Sequence, residues 1–141
     1  MDKNNLPTIN LKGKQYVMVH DRLVFFNETF LNGSIITDIH YKDDGSYAWV
    51  TATVRPDVVN VERKFIAHSS GPVDEEKALE KLETVAVGRA LAYMGIGIIE
   101  SIASADEMKI WIDSKKPKIQ KKESMAKIDN LESPPLPTPP F

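Results

Sequence analysis

The sequence predicts an α+β domain: an N-terminal helix, a three-stranded antiparallel meander covered by one long helix, a short C-terminal helix and a disordered tail. Two observations carry this. Residues 47–55 alternate, with Ala48, Val50, Ala52 and Val54 on one side and Tyr47, Trp49, Thr51, Thr53 and Arg55 on the other. Residues 73–94 repeat apolar side chains at helical spacing, with acids in the first turn. A sheet with one apolar face needs a cover, and the small residues of the central strand suit close packing under that helix.

Taken in order, the first dozen residues read as an extended arm. Leu23, Phe26 and Phe30 have helical spacing within Val19–Phe30, and Asn32-Gly33 supplies a C-cap. Ser34–Tyr41 is an isoleucine-rich strand ending at the turn Asp43-Asp44-Gly45. Tyr47–Arg55 closes at Pro56-Asp57, Val59–His68 is the third strand, and Ser69-Ser70-Gly71-Pro72 reads as a loop. The long helix spans Val73–Met94 and breaks at Gly95-Ile96-Gly97. Ser104 and Glu107 have capping-box spacing and open a short helix through Asp113. From Ser114 to Phe141 a lysine-rich stretch gives way to a proline-rich one that forms no core. The expected division is therefore 1–113 as the folded domain and 114–141 as the tail.

Over 141 residues the net charge is −2, unevenly spread: residues 114–141 carry six lysines and three acids, leaving the rest acidic. Any polyanion site in the domain must therefore be a local patch. With no cysteine, disulfides and thiolate metal centres are excluded. No segment resembles a signal peptide or a membrane span, so the expectation is a cytoplasmic protein without membrane contact. His20, His40 and His68 show no metal-ligand spacing, and no nucleophile elbow or phosphate loop is present. The reading is not an enzyme, with no metal and no cofactor.

Four features are candidate sites. The outer face of 47–55, with Tyr47, Trp49 and Arg55, can stack single-stranded bases; the alternative is that Trp49 packs under the first helix or against a neighbouring subunit. Arg63 and Lys64 fall on opposite faces of the third strand, so at most one of them shares the Trp49 face. On a helical wheel Arg89 falls within the arc of Ala78, Leu82, Val85 and Tyr93, where a guanidinium needs a carboxylate, carbonyls or a phosphate; Glu62, Glu80 and Glu83 are the candidate acids. Thr84, Gly88 and Ala92 form a small-residue ridge for close approach of a subunit or of another part of the same chain. Arg22, beside Leu23, reads by itself as a solvated charge.

The run EKLETVAVGRALAYMGIG, followed by ESIASADE, resembles the core motif of phage single-strand annealing proteins of the essential-recombination-function (ERF) type, of the Rad-fifty-two-like superfamily. HDRLVFFNETFLNGS is similar to that superfamily's first core helix, and DGSYAWVTATV and VERKFIAH to its hairpin strands. The resemblance implies a β-β-β-α core, assembly into a ring or filament, and a groove holding single-stranded DNA by its backbone with bases exposed. It implies phosphate contacts at Arg22 and Arg89. Where the superfamily relative has further basic groups this chain has Gly88 and Ala92, and Arg55, Arg63 and Lys64 are the candidate substitutes.

The expectation is a single-stranded DNA-binding homo-oligomer that promotes annealing in phage recombination and repair. One alternative is a protective coat that recruits a host or phage replication or recombination protein through its C-terminal tail. Another is an adaptor oligomer that binds no DNA.

Overall fold

A computed structural model describes residues 5–99 and 101–115. The chain divides into two compact units, Met1–Ile110 and Trp111–Phe141. All but the first two residues of the expected tail, Ser114 and Lys115, lie outside the described residues.

The first unit is mixed α and β, as expected, but it opens differently. Instead of an extended arm, β1 (Thr8–Leu11) and β2 (Lys14–Val17) form an antiparallel hairpin with Leu11 opposite Lys14. Lys12 and Gly13 make its two-residue loop, both at positive φ, as a tight hairpin turn with right-handed strand twist requires. Leu6 and Val17 join the main core. Helix α1 (Val19–Thr29) then runs to a cap at Phe30, whose N–H donates to the Phe26 carbonyl. Asn32-Gly33 is thus not the cap. Gly33 instead marks a close approach: an added Cβ would lie 2.6 Å from Phe26 Cζ and within 3.1 Å of the Phe30 and Arg55 carbonyls.

Strands β3 (Ser34–Tyr41), β4 (Tyr47–Arg55) and β5 (Phe65–Pro72) form the meander in the order β3-β4-β5, with Ser34 opposite Arg55 and Val54 opposite Phe65. The third strand begins later than Val59 and absorbs the expected Ser-Ser-Gly-Pro loop. Residues 57–60 are a pinned turn: Asp57 Oδ1 accepts the Val59 N–H at 3.0 Å and the Asn32 side-chain amide at 2.6 Å. Ser69 and Gly71 remain in the strand because the covering helix passes close above. The Ser69 hydroxyl donates to the Leu82 carbonyl, and a Cβ on Gly71 would sit 3.3 Å from Leu82 Cδ2.

That helix is α2 (Ala78–Tyr93), entered through Lys77 in the left-handed conformation rather than at Val73. It covers Ala48, Val50, Ala52 and Val54, all fully buried as their alternation predicts. Its own covered side is Leu79, Leu82, Ala86, Ala90 and Leu91, whereas Tyr93 is exposed. The arc read from the sequence is therefore rotated away from the true packing face. Helix α3 (Ala105–Ser114) follows. In the second unit, Lys115 Nζ lies 5.7 Å from the Trp111 ring centroid.

Gly33→Ala should destabilise the fold by about 1–3 kcal/mol through overpacking against Phe26. Urea unfolding checks this, and an unchanged midpoint would show that the contact relaxes.

Candidate functional site

Arg22 is the largest fully buried side chain and not a surface charge. Its position on α1 points it into the junction between α2, the Gly95–Gly97 turn and the approach to α3. Nη1 donates to the carbonyls of Gly88 at 2.8 Å and Ile102 at 3.1 Å, and Nη2 to that of Gly97 at 3.2 Å. Burial lowers its pKa, while the negative charges of Glu107 and Asp106 act in the opposite direction. The planar fork serves three acceptors in fixed directions, which a lysine ammonium does not match. A group so enclosed offers nothing to a phosphate, so the implied contact at Arg22 is corrected to an internal clasp.

The glycines of the Gly-X-Gly break make this clasp possible. Gly95, with φ +92°, ends α2 as a Schellman cap: its N–H donates to the Ala92 carbonyl, and that of Ile96 donates to the Leu91 carbonyl. Gly97, with φ +68°, brings its backbone against Arg22, where a Cβ would lie 3.1 Å from Nε. Ile96 is buried beneath the turn.

Arg89 lies off the packing face, with 39% of its side chain exposed. Its Nε meets both carboxylate oxygens of Glu107, at 3.1 and 3.3 Å. The acid is none of the three anticipated; it comes from the first turn of α3. The capping box is half made: Ser104 Oγ accepts the Glu107 N–H at 3.1 Å, while the Glu107 carboxylate turns to Arg89. A phosphate approaching Arg89 thus meets an acid already in place.

The small-residue ridge is used within the chain. A Cβ on Gly88 would sit 2.6 Å from Val19 Cγ2 and 3.7 Å from Ser104 Cβ, and Ala92 is fully buried. Thr84 returns its hydroxyl to the Glu80 carbonyl at 2.9 Å. Gly88 and Ala92 are therefore not free for a subunit contact.

What stays open is the other side of the meander. Trp49 is 45% exposed and not under α1. Tyr47 meets it edge-on, with ring centroids 5.4 Å apart. His40 and Ser70 flank Trp49 on the neighbouring strands, and Asp38 and His68 flank Thr51. Thr51 Oγ1 lies 3.1 Å from His68 Nδ1, and the Tyr47 hydroxyl donates to Ser70 Oγ at 3.3 Å. Arg55 ends this row, with Nε buried and without a partner. Arg63 and Lys64 precede β5 instead of lying in a strand. Arg63 sits 5.4 Å from the centroid of Phe65, which pairs with Val54 on the covered face, so Arg63 is turned from Trp49. The register brings together Tyr47, Trp49 and Arg55, and leaves Arg22 and Arg89 elsewhere.

Among the described residues no cluster of histidines and acids is arranged to hold a metal, and no helix is long and apolar enough to cross a membrane. Comparison with family models, curated proteins and solved structures finds no match to this chain.

Arg22→Met should cost about 2–5 kcal/mol, because buried carbonyls lose their donors. Arg89→Ala should cost less, about 1 kcal/mol, because its pair with Glu107 is only partly buried and its removal leaves no enclosed guanidinium. Chemical unfolding of both variants tests the contrast; equal losses would contradict it.

Proposed function

We propose that this chain binds single-stranded DNA and promotes annealing of complementary strands in phage DNA recombination and repair, acting as a homo-oligomeric ring or filament in the host cytoplasm. The observation that carries the reading is the uncovered sheet face bearing Tyr47 and Trp49. Exposed aromatics on a rigid strand offer stacking platforms for bases of any sequence. Stacking engages the faces of the bases and leaves their pairing edges free, which is what annealing requires. Arg55 stands six residues from Trp49 on the same strand, about 20 Å away at strand rise. It supplies a cation for the backbone. The resemblance to annealing proteins supports the same ligand but places its phosphate contacts at Arg22 and Arg89; here the sheet face takes that role.

The adaptor reading is favoured by a different observation. Leu31 is 88% and Val59 82% exposed, on turns pinned together by the Val58 N–H donating to the Asn32 carbonyl at 3.0 Å. Rigidly presented aliphatic residues suit a protein contact.

Anisotropy with a labelled oligonucleotide separates the two. Wild-type binding should weaken with salt at a log–log slope of about −0.7 per phosphate neutralised. Trp49→Ala should weaken it about 5- to 150-fold, the equivalent of one stacked base, and complementary oligonucleotides should anneal faster with wild-type protein. Absence of binding at low salt, or an unaltered Trp49→Ala affinity, would favour the adaptor.

A further inference from the structure

Helix α2 covers the meander unevenly. The inward residues of β4 are completely buried, yet Ile35 and Ile39 on the same side of β3 are only partly covered. The uncovered strip opens into a cleft of about 480 Å³ between the start of α1, the middle of α2 and β3. Its walls are Val19, Leu23, Ile35 and Val87, and its polar groups include Glu83 and Asp106. The volume is within the usual range of ligand sites, about 300–1,000 Å³. The cleft is open along one side, so an occupant lies along it without being engulfed.

Charge decides which occupant fits. Glu83 accepts the Thr37 hydroxyl at 2.9 Å, and Asp106 accepts the Val19 N–H at 2.7 Å. Both are neutral donors, and neither carboxylate has an ion-pair partner within 4.0 Å among the described residues. Asp106 also acts on the buried Arg22. The lining holds two carboxylates against one imidazole, that of His20, and no lysine or arginine, so it repels a phosphate backbone and is not a second nucleic-acid surface. A lysine side chain matches both features: its methylene stem covers aliphatic wall while its ammonium remains at the polar edge, and a charged donor to a carboxylate is stronger than a neutral one.

We infer that this cleft is a docking site for a lysine-bearing aliphatic segment of a partner polypeptide, with Glu83 as the group that selects the cation. The site is independent of the open sheet face. The test uses the full chain, isotopically labelled, and a blocked hexapeptide alternating leucine and lysine, with a leucine–glutamine hexapeptide as control. The lysine peptide should shift the amides of Leu23, Ile35, Glu83 and Val87 and bind about tenfold tighter than the control, a difference of about 1.4 kcal/mol. Glu83→Gln keeps an acceptor for Thr37 and should bring the two affinities together. Equal affinities for the wild type, an unchanged ratio in Glu83→Gln, shifts confined to other surfaces, or no shifts at millimolar peptide would each overturn the assignment.

Discussion

The rest of the domain depends on one guanidinium. Arg22 joins three stretches of backbone that lie 66, 80 and 75 residues away in sequence, at Gly88, Ile102 and Gly97. A buried charge is costly unless most of its donors are satisfied. The two Nη groups depend on these three carbonyls, while Nε is enclosed without a partner among the described residues, so the carbonyls must arrive together. That requirement accounts for Gly88, which lets α1 approach α2, and for Gly97, which wraps the chain against Nε. It also accounts for the acids at the start of α3, which offset the buried charge from Asp106 and Glu107.

The same junction determines what remains outside. With α1 held against the end of α2, the long helix lies over β4 and β5, leaving β3 partly bare and the far side of the sheet uncovered. Asp106 also holds the Val19 N–H, and Glu107 holds Arg89, so two acids and two arginines serve architecture. Under the proposed function a polyanion would use the aromatic sheet face and its arginine end. The acidic balance of the domain fits that proposal, because a stacking surface needs fewer cations than a phosphate groove.

Much of the scaffold was legible. The alternation of residues 47–55 shows the buried side of β4 because a strand's period of two leaves no ambiguity once one side is apolar. Ser104 as a helix start was equally readable from its spacing to Glu107. The orientation of α2 was not, because it is covered on two sides. Gly88 faces Val19 of α1 and Ser104 at the approach to α3, while Ala86 and Ala90 join the core with the inward residues of the sheet, and small residues carry little weight on a hydrophobic wheel. Arg22 was illegible for a related reason: its acceptors are main-chain carbonyls, which every residue has and no pattern marks. The one usable signal was the Gly-X-Gly break, read as a simple helix end. The shift of β5 arose because Ser69-Ser70-Gly71 resembles a loop in composition, although close passage of a helix demands small residues there.

The most direct test of the central claim is the NMR spectrum of the Arg22 guanidinium. Held by three carbonyls away from water, its Nη protons should give separate, slowly exchanging signals that do not move when single-stranded DNA is added. A single averaged, rapidly exchanging signal would show that the clasp is not formed. Signals that shift with DNA would return Arg22 to the phosphate contact implied by the resemblance.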